Sequence, residues 1–143
     1  MKLVLQRVLS SSVTIENVEV SKIGHGLLVL FGVEKADEEA SLEFFAQKLL
    51  KLRIFEDENG KMNKSVVDVG GEILVVSQFT LCADCKKGTR PSFDNAMEPV
   101  RANEFYEKFV SILKKSGLNV QTGKFGADMK VALVNNGPVT IVL

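Results

Sequence analysis

The chain opens with two short apolar runs of period two. Residues 2 to 9 (KLVLQRVL) and 12 to 20 (SVTIENVEV) are rich in β-branched residues, and the second sets Val13 and Ile15 against Thr14 and Glu16. That alternation predicts half-buried strands, and with them an antiparallel N-terminal third. Gly24 and Gly26 then lead into LLVLFGV, which is apolar throughout and predicts a central strand covered on both faces. From residue 37 the period changes: Leu42, Phe45, Leu49 and Leu52 recur at helical spacing. The helix so predicted has Ala36 or Asp37 as its cap, Glu38 and Glu39 at the positive end of its dipole, and an end near Arg53.

Further along, IFEDENGKMN carries an Asn-Gly turn, and VVDVGGEILVVSQFTL breaks at Gly70-Gly71 before a strand expected over 72 to 81. A long loop follows, basic at Lys86, Lys87 and Arg90 and ending at Glu98-Pro99; loops of that length in a compact domain are commonly functional or mobile. A second helix is predicted from Val100 to Ser116. Phe105, Tyr106, Phe109, Ile112 and Leu113 lie on one face, Lys114 and Lys115 in the last turn, and Gly117 just beyond. Strands near 118–122 and 129–143 complete the chain. Strands outnumber helices, which predicts an α+β fold: one domain over residues 1–143, with a curved, barrel-like antiparallel or mixed sheet covered by two main helices.

Composition narrows the function classes. Of 143 residues, 45% are hydrophobic and 25% charged, which fits an ordered globular domain able to bury a core without disulfides or metal. The first apolar stretch is interrupted by Gln6 and Arg7, so no signal-peptide core and no membrane-spanning run is read, and a cytoplasmic protein is expected. Lys plus Arg equals Asp plus Glu at 18 each, so no global field marks a sequence-independent DNA coater; a polyanionic partner would be held by a local patch.

The usual catalytic kits are weak or missing. Cys82 and Cys85 form a C-x-x-C, open to reading as a redox pair, half a zinc site or two reduced thiols. A zinc site would need two more ligands, and His25 is the only histidine. His25 sits in the turn-like KIGHGLL with no nucleophile nearby in sequence. There is no G-x-x-x-x-G-K-[ST], no G-x-G-x-x-G after a strand and no H-E-x-x-H. What remains is unexpected polarity at strand ends. Ser77-Gln78 interrupts EILVV and Thr80 follows Phe79, while Asn135-Asn136-Gly137-Pro138 interrupts a Val-rich run. Hydroxyl, amide and backbone N–H groups can together hold a carbonyl or an oxyanion; a solvated strand end would read the same. Gly137-Pro138 is either a plain turn or a rigid backbone surface, because an X-Pro bond is where a cis peptide costs least.

SQFTL at 77–81 and NNGPVT at 135–140 resemble, in that order and separation, the two signature motifs of the D-aminoacyl-tRNA deacylases. The resemblance runs the length of the chain, through MKLVLQRVLSSSVTI, GLLVLFGVEKAD, LRIFEDENGKMN, KGTRPSF and KFGADMKVALVNNGPVT. It implies a hydrolase that cleaves the ester between a D-amino acid, or glycine, and the terminal ribose of tRNA. It also implies a homodimer with the active site at the subunit interface, and no metal, cofactor, membrane or DNA partner.

Carried over residue by residue, the resemblance gives Ser77, Gln78, Phe79 and Thr80 the role of holding the amino acid and its carbonyl. Gly137 and Pro138, through a cis bond and from the other subunit, would exclude an L side chain, with Arg7 bracing them. Phe125 and Met129 would line the pocket for the terminal adenosine. Lys86, Lys87 and Arg90 are expected to meet the tRNA. Thr80 has no base beside it in sequence, so substrate-assisted chemistry is the expected mechanism. A non-catalytic tRNA- or nucleotide-binding module is the alternative reading.

Overall fold

The computed structural model describes residues 1–143. Its first strand, β1 (Lys2–Ile15), is longer than expected. The reversal comes at Glu16 and Asn17, both with positive φ (48° and 64°), the two-residue hairpin geometry that matches strand twist. β2 (Val18–Ile23) then folds back on Ser11–Ile15. The expected strand over 12 to 20 is therefore corrected: it is a hairpin, and β1 absorbs both N-terminal runs up to the turn.

β3 (Gly26–Gly32) pairs antiparallel with Lys2–Val8 of β1, so β2 and β3 share one edge of that strand. β6 (Glu72–Ser77) runs parallel to β3, and β7 (Val120–Thr122) parallel to β6. β8 (Lys130–Val142) takes the other edge of β1. The sheet is mixed and barrel-like, in the order β2-β1-β3-β6-β7 with β8 on β1. β4 (Phe55–Glu56) and β5 (Met62–Lys64) form a separate small hairpin around the Asn-Gly turn.

Helix α1 (Ser41–Lys51) begins later than the sequence suggested. Asp37 does not cap it; its carboxylate accepts the Glu34 N–H at 2.7 Å and closes a local turn instead. Helix α2 (Pro99–Lys114) is capped by Glu98, whose carboxylate accepts the N–H groups of Val100 and Arg101. Pro99 has no N–H to satisfy at that position. No helix is long and apolar enough to cross a membrane.

The core confirms that β3 is covered twice. Leu27, Val29 and Phe31 join Leu49, Phe105 and Phe109 between sheet and helices. Leu28 points to the other face, with Val8, Val13, Leu74 and Val76. A strand buried on both faces loses polar alternation, which is why LLVLFGV reads as continuous apolar sequence.

Candidate active site

The strand expected over 72 to 81 ends at Ser77 and becomes a short 3-10 turn, Phe79–Cys82. Its ladder runs out at this point. β7 pairs only with Ile73–Val75, the last β3 partner is Phe31 opposite Ser77, and Gln78 N–H makes a final 2.7 Å bond to the Phe31 carbonyl. The turn then packs on the end of β3. A Cβ on Gly32 would lie 2.9 Å from the Gln78 carbonyl oxygen and 3.1 Å from Leu81 Cβ, so the close approach requires glycine. As the first residues of a 3-10 turn, Phe79 and Thr80 have backbone N–H groups without partners inside it.

Beside this turn lies a cavity of about 500 Å³. Ser77, Gln78 and Phe79 form one end; Phe125 and Met129 form another wall, and Met97 and Ala102 close it from the α2 side. The structure thus brings five of the sequence-predicted residues together. Most of the lining is hydrophobic, which suits a flat aromatic ligand held by few polar groups. Met97, Pro99, Ala102 and the 126–128 turn were not anticipated. Met97, Pro99 and Ala102 carry no motif and come from the start of α2 and the residue before Glu98, whereas the 126–128 turn belongs to the KFGADM stretch between β7 and β8.

Thr80 lies outside the cavity wall and is exposed. Its hydroxyl accepts a hydrogen bond from the Gln78 side-chain amide, and no histidine or carboxylate hydrogen-bonds to it. Lys86, Lys87 and Arg90 are also exposed and outside the cavity. Their loop is tied back by a bridge between Asp84 and Ser92 and by Phe93, whose ring centroid is 5.0 Å from that of Phe79. The basic loop therefore flanks the motif. Cys82 is buried, its thiol donating to the Val33 carbonyl at 3.3 Å, while Cys85 is exposed. Burial pushes the Cys82 thiol pKa up, the opposite of an activated thiolate. His25 sits far from the motif, edge-on to Phe55.

Gly137 and Pro138 are elsewhere in the same chain. β8 bulges around Arg7: Gln6 pairs with Thr140 and Val8 with Asn135, leaving residues 136–139 arched over one β1 residue. The Gly137–Pro138 bond is cis and Gly137 has φ +126°. Arg7 is 3% exposed. Its Nε donates to the Asn136 carbonyl at 3.0 Å, its Nη1 to the Ile54 carbonyl at 2.7 Å, and its Nη2 lies 3.5 Å from the Glu56 carboxylate. Arg7 thus ties the arch to the β4 region. Along the sheet, Ser77 aligns through Phe31 with Leu3, whereas the arch sits at Arg7. Four residues and three strand spacings separate them, roughly 20 Å. The two motifs do not meet within one chain.

Behind the cavity, Tyr106 donates its hydroxyl to the Val75 carbonyl at 2.7 Å and places its ring 6.1 Å from that of Phe125. Burial raises its pKa from 10.0 to about 12, with the Gly123 backbone bond working in the other direction. The folded value lies above the ordinary one, so any stability resting on the neutral hydroxyl is intact below pH 10 and lost as pH rises toward 12. Tyr106→Phe is expected to remove about 1 kcal/mol of stability, the low end of the range because the Val75 carbonyl keeps its Gly123 donor. Urea denaturation at neutral pH checks this; an unchanged midpoint would show that the bond is stability-neutral.

Residues 4–143 match the family model described as D-Tyr-tRNA(Tyr) deacylase. A Myxococcus xanthus (strain DK1622) protein named D-aminoacyl-tRNA deacylase is 57% identical over 143 residues, covering 100% of this chain and 94% of that protein. A solved structure titled c-Myc DNA Unwinding Element Binding Protein superposes with a TM-score of 0.94 at 47% identity, covering 100% of this chain and 97% of that one. A second, titled a probable eukaryotic D-amino acid tRNA deacylase, has a TM-score of 0.84 at 18% identity over 99% of this chain and 97% of that one, and so speaks to the fold alone. With a family match over nearly its whole length, on a sheet that ends in the SQFTL turn and carries the NNGPVT arch, the chain belongs to the D-Tyr-tRNA(Tyr) deacylase family.

Proposed function

We propose that this protein hydrolyses the ester joining a D-amino acid to the 3′-terminal ribose of tRNA, acting in the cytoplasm and without a cofactor. The observation that carries the reading is the apolar cavity bounded at one end by Ser77, Gln78 and Phe79 and walled by Phe125 and Met129. The terminal adenosine fits against the apolar wall, which puts the ester carbonyl at the turn, within reach of the Phe79 and Thr80 N–H groups. Water adds to the carbonyl carbon, the bond to the ribose oxygen breaks, and the proton passes to that oxygen. With no base bonded to Thr80, the neighbouring ribose hydroxyl or an oriented water does the chemistry, and the chain positions substrate and stabilises the oxyanion.

The finer reading concerns chirality. The arch at Gly137 and Pro138 is too far from Ser77 of its own chain to act there, so a second copy is proposed to supply it across a two-fold contact. β8 is an edge strand that leaves Val134 and Val142 52% and 71% exposed, with Leu9 of β1 at 53%. Such an edge invites a partner. Placed in the pocket, the arch would occupy the space of an L side chain, and glycine, which has none, would be accepted. Lys86, Lys87 and Arg90, beside Phe79, would face the RNA.

Incubation with D-Tyr-tRNA and L-Tyr-tRNA tests the activity. Rapid loss of the D ester alone is expected; equal persistence of both would leave a non-catalytic tRNA- or nucleotide-binding module, the reading favoured by the absence of an acid–base pair and compatible with the binding title of one structural neighbour. Thr80→Ala is expected to keep its rate within about tenfold of the parent, since losing a true nucleophile costs several orders of magnitude. A dead variant that melts normally would restore threonine as nucleophile.

A further inference from the structure

A second cavity of about 640 Å³ adjoins the first, and Phe125 lines both. Its character differs. α2 contributes Asn103, Glu107, Ser111 and Lys114, the end of β7 contributes Thr122, and the chain just after it Lys124. Neither Lys114 nor Lys124 makes an ion pair. The one carboxylate in the lining, Glu107, accepts a hydrogen bond from the Asn103 amide at 3.0 Å.

We infer that this cleft binds the phosphodiester backbone of the nucleotide preceding the terminal adenosine, so that the acceptor strand leaves the active site over Phe125 and along α2. The inference rests on the deacylase reading, which seats the adenosine in the first cavity with its ester at Gln78–Phe79. The 5′ phosphate must then exit at a rim, and two sizeable clefts share lining residues with the first cavity. The other one, about 500 Å³, shares Ala127 and Asp128 with it and is lined by the carboxylates of Glu16 and Asp128. Its Lys130 is already held by Asp128 at 2.7 Å. Lys124 lines both clefts, so the clefts differ in their other charges: Lys114 against the single, hydrogen-bonded carboxylate of Glu107 along α2, and the already paired Lys130 against two carboxylates in the other. The net charge favours a phosphate along α2. Of Lys114 and Lys124, Lys124 carries the larger share, because Lys114 lies in the last turn of α2 and part of its charge offsets the negative end of the helix dipole.

The test compares kcat/KM for D-tyrosyl-tRNA with that for the D-tyrosyl ester of adenosine alone, each across a range of KCl concentrations. For Lys124→Ala the tRNA-to-adenosine ratio is expected to fall about fivefold, and for Lys114→Ala with Lys124→Ala about twentyfold. The slope of log kcat/KM against log salt should shrink by about 0.7 for each phosphate no longer neutralised. Lys124→Arg should restore most of the ratio. A double variant with the parent's ratio and salt slope overturns the inference, as does equal loss on both substrates. So does a double variant no worse than Lys124→Ala, because Lys124 also lines the other cleft and only Lys114 is particular to this one. A parent protein that hydrolyses neither ester overturns the deacylase reading itself, and the inference with it.

Discussion

Replacing Gly137 by valine is expected to lower kcat/KM on D-tyrosyl-tRNA by at least about 100-fold, the scale on which displacement by an ångström near reacting groups is felt. Two independent constraints converge on this residue. Its φ of +126° lies in a region that L side chains rarely adopt, and a Cβ there would sit 2.9 Å from Val139 Cγ2 and 3.1 Å from Arg7 Nη2. A β-branched residue would have to push the arch away from Arg7, at a cost of about 1–3 kcal/mol for the backbone conformation alone. The reorganised arch could no longer present the same surface to a bound amino acid. Gly137→Ala should show the same trend more weakly. Kinetics on D-, L- and glycyl-tRNA, with a thermal melt to show the variant is folded, decide the matter. A folded valine variant with undiminished D-ester hydrolysis would remove the arch from the site.

Arg7→Ala is expected to destabilise the protein by about 2–4 kcal/mol, because it strands two carbonyl oxygens that a charged donor now satisfies. The ion pair with Glu56 contributes little: the contact is long at 3.5 Å and the Glu56 side chain is 58% exposed. The bonds to the Asn136 and Ile54 carbonyls therefore dominate. At this chain length such a loss lowers Tm by roughly 5–10 °C. Activity should fall further than stability explains, since the arch loses its anchor on the Asn136 carbonyl. Arg7→Lys is not expected to rescue it, because one ammonium cannot span both carbonyls and the carboxylate as a guanidinium fork does. Equal melting temperatures for Arg7→Ala and the parent would refute the anchoring role.

Site residues differ in how well local sequence reports them. Ser77-Gln78 was visible because polarity intrudes where β6 should remain apolar, and Phe125 and Met129 were placed by resemblance; the fold joins all four at one cavity. Met97 and Ala102 were invisible because their contribution depends on the angle at which α2 crosses the sheet. Thr80 and the basic loop read as part of the same constellation, yet both lie outside the cavity wall. The strand expected to continue through Leu81 turns at Gln78, and that turn rotates Thr80 away. Arg7 looked like a charge interrupting an apolar run. Its partners, Ile54 and Asn136, are 47 and 129 residues away, beyond any local pattern.

Periodicity and turn chemistry, which act over a few residues, determined the number of helices, the double burial of β3, the single domain and the mixed α+β class. Strand ends and partners were decided only by the assembled sheet. β1 runs through Ser10–Ser12 because β8 pairs along that stretch, and Asp37 accepts the Glu34 N–H while the helix starts only at Ser41. The separation of the two motifs was decided there too. A strand sequence encodes which face is apolar, but not which strand will lie beside it. Register across β8, β1, β3 and β6 therefore sets the gap between Gly137 and Ser77, and no local spacing rule could have given it.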